Sequence, residues 1–248
     1  MKKIYLTLLA GILTMSSCSD FLETESPSQQ SSQNVFVNEG MAKSALMGVY
    51  AQLTNTYVYG QKMSVNWQNV SDIEKAYDTF NTGSGLYTEN NFYCDWYNSS
   101  IEWRHIFKMA ELASTAVEGL KNSPELEKNA NLRCMLGEAM TLRALSYFEL
   151  VRRWGDIPFK SGTSNSDLSN VYMGKIDRDS VYTCLVQEMQ EAIEYLPWVG
   201  KNGYTVERIT KGFAKGLLAR IALFGGGWSI RDSNQFSDAN VEHYPNIE

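Results

Sequence analysis

Histidine and proline are scarce in this 248-residue chain, at two and five respectively. His105 and His243 stand too far apart in sequence to make a local metal motif. None of the four cysteines falls in a CxxC or Cys/His spacing, so zinc has no ligand set to read here. Gly-x-Ser-x-Gly and His-Glu-x-x-His are both absent, which removes two common signatures of hydrolases. Gly225-Gly226-Gly227 closes a helical stretch instead of opening one, and no Gly-Lys-Ser/Thr follows, so it is not a phosphate cradle. Positive charge is also in short supply. Lys and Arg number 22 against 28 Asp and Glu, a net charge of −6 with no basic block, which excludes the electrostatic footprint of a nucleic-acid binder. The acids are numerous enough to supply a glycosidase pair, but sequence does not give the separation that such a mechanism requires. No enzyme, cofactor or metal is expected.

What the chain has in quantity is bulky apolar surface. It is 44% hydrophobic, with six Trp, 14 Tyr and ten Phe, enough for a sizeable core in one domain or in a compact pair of lobes. The N-terminus reads as an address. Lys2 and Lys3 precede a largely apolar stretch, Ile4 to Leu13, that is too short to span a bilayer. Ser16-Ser17-Cys18 then looks like a lipobox, with Met15 where Leu is usual. Residues 1–17 are expected to be a lipoprotein signal peptide and Cys18 the lipidation site, tying the protein to a membrane through its acyl chains. Residues 18–36 hold a polar run from Glu25 to Asn34 and read as a lipidated tether. Cys94, Cys134 and Cys184 are expected to be small buried hydrophobes.

Helical periodicity dominates from Asn38 onward. A helix capped by Asn38 is expected to run to about Leu53, and a second from about Ser100 to Leu120. In a third, from about Ala130 to Arg153, Leu132, Leu136, Ala139, Leu142, Leu145 and Phe148 recur at three- and four-residue steps. Gly155 and Pro158 end it. A fourth is expected from about Asp179 to Leu196, and a fifth from the Thr210 cap to Phe224. The fold class is therefore all-α, a tetratricopeptide-like helical repeat scaffold. Two stretches interrupt it as long irregular loops, residues 54–99 and 160–177. The first is too long for a mere connector.

Three segments carry a family resemblance, in family order. The first is Cys18-Ser-Asp-Phe-Leu-Glu with Phe36 and Ala45-Leu-Met-Gly-Val-Tyr50. The second runs from Arg143-Ala-Leu-Ser-Tyr-Phe-Glu to Trp154-Gly-Asp-Ile-Pro158, and the third is Arg208-Ile-Thr-Lys-Gly-Phe-Ala-Lys-Gly-Leu-Leu-Ala-Arg220. Together they resemble the SusD/RagB family of outer-membrane nutrient-binding lipoproteins across nearly the whole chain. The resemblance implies a noncatalytic glycan-binding lipoprotein of the outer membrane, facing the cell exterior. It also implies a SusC-like TonB-dependent transporter as partner and an oligosaccharide or other nutrient as ligand. Family members are generally longer, so residues 37–248 are expected to form a truncated, N-terminal helical domain of this type.

Candidate residues divide into two groups. Arg143, Trp154, Gly155, Asp156 and Pro158 are expected to serve helix termination and core packing. The 54–99 loop mixes Trp and Tyr with Asn and Asp, the chemistry a sugar needs: flat rings for its C–H faces and polar groups for its hydroxyls. Trp96 is the first candidate for glycan contact, with Tyr97 and Asn98 beside it and Trp67 and Asp72 next. Trp103 is assigned to packing. The alternative function is a helical-repeat scaffold that contacts only protein, without a ligand site of its own.

Overall fold

The computed structural model describes residues 35–65, 96–164, 168–231 and 240–243. All of them lie in one unit, Ser32–Glu248. The described elements are α1 (Glu39–Leu53), α2 (Lys62–Val65), α3 (Trp96–Lys121), α4 (Ala130–Trp154), α5 (Arg178–Tyr195) and α6 (Lys211–Gly226), then β1 (Trp228–Arg231) and β2 (Asn240–His243). Four of the helices open on a side-chain cap that the sequence itself supplies. The Asn38 carboxamide oxygen accepts from the Met41 N–H at 3.1 Å. Asn129 accepts from Asn131 at 2.8 Å and Leu132 at 3.3 Å. Asp177 accepts from Ser180 at 2.9 Å and Thr210 from Phe213 at 3.4 Å. Each such bond satisfies an N–H that the first turn cannot pair within the helix.

Neighbours in sequence are neighbours in space. α3 packs on α4, α4 on α5 and α5 on α6, while α1 lies against α3 and α4. α4 is the centre of this array and is buried on every side from Cys134 to Val151. That explains its composition: small and apolar residues alternate so that four other helices can reach it. At Gly137 a Cβ would stand 2.9 Å from the Ala192 carbonyl oxygen and 2.8 Å from Leu196 Cγ, so the end of α5 approaches where a side chain is missing.

The polar residues inside α4 are each engaged. Thr141 and Ser146 donate back to the carbonyls of Gly137 and Leu142, at 2.7 and 2.8 Å. Glu39 of α1 accepts from the Asn129 and Asn131 carboxamides at 3.3 and 2.9 Å, fixing the start of α4 against the start of α1.

The loop after α4 is held more firmly than its Ser- and Asn-rich composition indicates. Ile157 and Ile176 exchange backbone hydrogen bonds of 3.2 and 2.8 Å and close its base. Glu111 of α3 accepts from Lys160 Nζ at 2.8 Å and from the Ser164 N–H at 2.6 Å. Glu118, two turns on, accepts from the Thr163 hydroxyl at 2.7 Å.

Two expectations are corrected, the loop assignment of residues 96–99 and the burial of Cys184. Trp96, Tyr97, Asn98 and Ser99 are not loop: α3 begins at Trp96, one turn earlier than the apolar stripe indicates. The 54–99 segment also holds a short helix, α2. Cys134 is buried but Cys184 is exposed, because it lies off the α5 stripe of Val181, Leu185, Met189 and Ala192. Beyond the three glycines, the exposed Trp228 starts a short strand: β1 pairs antiparallel with β2, Trp228 opposite His243.

Candidate functional site

The residues singled out for sugar contact fall in two places. Trp96, Tyr97 and Asn98 form the first turn of α3. Cys18, Trp67 and Asp72 lie outside the described residues. In helical register Trp96, Trp103 and Phe107 stand at i, i+7 and i+11, one stripe of α3. Trp103 opens a row of rings. It meets Phe107 with centroids 4.6 Å apart and Trp154 edge-on at 5.2 Å. Phe107 meets Tyr147 edge-on at 6.2 Å, and Tyr147 meets Phe159 at 4.7 Å. Burial pushes the Tyr147 hydroxyl above its usual pKa, so it stays protonated, and it accepts from the Lys160 N–H at 3.3 Å. Trp103, Phe107, Trp154 and Phe159 are only partly buried. An aromatic row with solvent on one side, running from α3 across the end of α4, has the chemistry to extend a stacking surface. Trp103 is packed against the core, as expected, and the sequence gives no sign that rings 44 to 56 residues away join it.

The motif closing α4 forms the floor beside that row. Arg143 donates Nε to Glu188 Oε1 at 2.7 Å and Nη1 to the Ser161 carbonyl at 3.0 Å, tying α4 to α5 and to the loop. Burial pushes the Glu188 carboxyl up, and the Arg143 charge offsets some of that. Gly155 adopts φ 75°, and its N–H bonds the Val151 carbonyl at 3.0 Å. A Cβ there would meet the Arg178 guanidinium at 2.3 Å. Asp156 accepts from the Arg178 N–H at 3.1 Å and from Lys175 Nζ at 3.2 Å. Pro158 follows the Ile157 bridge, where no helical N–H is needed.

Two carboxylates inside α4 carry no signal in the sequence. Glu138 is fully buried. It accepts from the hydroxyls of Tyr50 and Tyr204, each at 2.5 Å, and from both Nε and Nη2 of Arg208. Tyr50 in turn accepts from the Ile209 N–H at 2.9 Å. Burial first, then the Glu138 charge, raises both tyrosines well above their ordinary pKa. Burial alone would lower Arg208, and its bonds to Glu138 more than offset this and raise it. Glu149, about three turns further along α4, accepts from Tyr59 at 2.6 Å, from Arg152 Nη2 at 2.7 Å and from Arg153. Tyr59 is raised by burial and by that carboxylate. These acids have their lone pairs taken up by the scaffold, so neither is free to move a proton on a substrate.

Two adjoining clefts lie against α4. One, of about 590 Å³, is lined by Leu53, Tyr59, Leu145, Phe213, Gly216 and Leu217, with Arg220 at its end. The other, of about 450 Å³, shares Tyr59 and Arg220 and adds Ser64, Glu149, Arg152 and Arg153.

Comparison with known proteins places this architecture. Two SusD-like proteins of Formosa agariphila are 28% and 24% identical over 79% and 75% of this chain, and the match covers 39% and 36% of their own lengths. A crystallised SusD homolog from Bacteroides thetaiotaomicron superposes with a TM-score of 0.70 at 25% identity, over 79% of this chain and 38% of the homolog. The chain thus spans less than half the length of these relatives. A family model described as starch-binding associating with outer membrane, SusD-like, matches residues 20–223. With that match running from before α1 into α6, and the same helical array recurring in a solved homolog, the chain belongs to the SusD-like family.

Proposed function

We propose that this protein is a noncatalytic capture lipoprotein of the outer membrane. It is anchored through Cys18 and faces the cell exterior. It binds an oligosaccharide or related nutrient and passes it to a SusC-like TonB-dependent transporter. The observation that carries this reading is the family match over residues 20–223, whose description joins starch binding to the outer membrane. The chemistry of the chain supports it. Trp96, Tyr97 and Asn98 open α3, with Trp96 on the same stripe as the half-buried Trp103 and Phe107. Trp67 and Asp72 complete the proposed glycan contacts. A capture protein must release its cargo, so stacking plus a few hydrogen bonds suits the task better than a deep enclosed pocket.

The protein-contact scaffold is the second reading. The observation favouring it is the exposed apolar stripe of α6, where Phe213, Leu223 and Phe224 are 47%, 76% and 45% exposed, a surface suited to protein contact. Titration of the wild type and of Trp96→Ala with the same oligosaccharide separates the two. Loss of a stacked ring is expected to weaken binding about tenfold, roughly 1.4 kcal/mol. Equal affinity in the two proteins would remove Trp96 from the site.

A further inference from the structure

The chain enters the helical array at an end that can be identified from its contacts. Glu39, at the start of α1, accepts from Asn129 and Asn131 at the start of α4. Phe36, just ahead of α1, packs against Gly119 near the end of α3. Gly137, two turns into α4, lies against Leu196 at the end of α5. The Lys211 N–H that opens α6 donates to the Pro197 carbonyl at 2.8 Å. The starts of α1, α4 and α6 and the ends of α3 and α5 therefore share one end of the array. From Cys18 to Val35 the chain reaches at most about 60 Å even when fully extended, so a bilayer holding Cys18 lies within reach of this end.

The connector between α5 and α6 turns apolar side chains outward there. Trp198, Val199 and Val206 are 54%, 53% and 80% exposed. The turn that carries them is firmly built. The Lys201 N–H donates to the Trp198 carbonyl at 3.0 Å, and the Gly200 N–H donates to the Tyr204 carbonyl at 2.8 Å. Gly200, Asn202 and Gly203 take φ values of 81°, 52° and 71°, which let it double back sharply. The buried Tyr204 fixes it to Glu138 of α4 through a 2.5 Å hydrogen bond. The Trp198 ring rests on α6, 3.5 Å from where a Gly212 Cβ would stand, with Lys215 Nζ 5.7 Å from its centroid. A pinned turn cannot withdraw this apolar surface from water, so a partner that covers it gains the full burial.

That partner must meet apolar groups and cations together. Lys201, Lys211 and Lys215 stand around the turn and outnumber Glu194 and Glu207, in a chain of net charge −6. Arg208 is already bound to Glu138. Tryptophan beside lysine suits the boundary between lipid headgroups and acyl chains: the ring has an apolar body and a polar N–H, and lysine stems lie along the apolar layer with their amines at the phosphates. A sugar suits the turn less, because Val199 and Val206 offer its hydroxyls no partner.

We propose that this end of the array rests on the bilayer, with Trp198 and Val199 entering the headgroup boundary and Lys201, Lys211 and Lys215 against anionic headgroups. The inference rests on the reading that Cys18 anchors the chain to that membrane. It also orients the body: the aromatic row lies at the start of α3 and the end of α4, the opposite end of the array, and so points away from the bilayer.

The test uses the full chain with Cys18→Ser, which has no thiol to acylate at that position, so contact through the turn is read apart from the anchor. Partition onto vesicles of phosphatidylethanolamine and phosphatidylglycerol is measured by co-sedimentation, with residues 1–17 common to every variant. Trp198→Ser should weaken it about tenfold and Val199→Ser severalfold. Leu223→Ser, at the far end of α6, should leave it unchanged. The double variant Lys201→Gln/Lys215→Gln should weaken binding to these vesicles but not to neutral phosphatidylcholine ones. An unchanged helical circular-dichroism spectrum checks that the variants fold. Folded Trp198→Ser and Val199→Ser chains that partition like their parent, or an equal loss in Leu223→Ser, overturn the proposal. So does retardation by a polysaccharide in native gels that Trp198→Ser abolishes, since the occupant is then a sugar. The mass of the wild-type chain recovered from membranes reports acylation of Cys18 separately: an unacylated chain whose turn variants still lose vesicle binding overturns the anchor and upholds the contact.

Discussion

Glu138 shows how much of this fold depends on single buried polar groups. Its carboxylate gathers Tyr50 from α1, Tyr204 and Arg208 from the segment before α6, and through Tyr50 the backbone of Ile209. Glu138→Ala leaves two hydroxyls and a guanidinium without their acceptor inside the protein. The expected cost is about 3–5 kcal/mol, read from urea denaturation, a large share of the roughly 5–15 kcal/mol that holds a domain together. None of this was legible in the sequence, because the partners lie 66 to 88 residues from Glu138 and chance pairs of Glu, Tyr and Arg abound. Glu111 gives a pH-dependent counterpart. Burial pushes its carboxyl up, but hydrogen bonds from Lys160 and Ser164 outweigh this and hold it below its ordinary value of about 4.5. A depressed carboxylate stabilises the fold above its unfolded-state pKa and loses that contribution as pH falls through the folded value. The gap in urea midpoint between wild type and Glu111→Gln should therefore be full at neutral pH and close below about pH 4. A gap that persists unchanged in acid would show that the carboxylate charge does not pin the 160–164 loop.

Helices were the legible elements, and the reason is local. Asn38, Asn129, Asp177 and Thr210 cap their helices through atoms two or three residues away, so the starts of α1, α4, α5 and α6 are written in short stretches of sequence. The start of α3 is different. Trp96 to Ser99 mixes two aromatic with two small polar residues, a composition that reads equally well as loop, so periodicity places the helix one turn late. β1 and β2 escape detection because two four-residue strands give too little alternation. The end of α4 was legible through Gly155, and its geometry makes a firm prediction. With φ at 75° and Arg178 packed over its Cα, alanine there is strained in backbone and side chain alike. Gly155→Ala is expected to cost about 1–3 kcal/mol and to lower the melting temperature. A variant that melts with the wild type would mean that the turn can relax without loss.

At the scale of the whole molecule, the array of helices was readable from periodicity and the family from three ordered motifs, and the match over residues 20–223 agrees with the family. The proposed glycan surface was less readable. Aromatic and amide residues were recognisable by type, but the row from Trp103 through Phe107 and Tyr147 to Phe159 is assembled by packing, not by spacing. The candidate contacts Trp67 and Asp72 lie outside the described residues. Capture of a glycan is the claim on which the functional account rests, and migration of the wild-type chain through native gels cast with a panel of soluble polysaccharides tests it most directly. The account predicts retardation by one or a few of them, relative to a gel without polysaccharide. A folded, helical chain that migrates unretarded through every gel would contradict it.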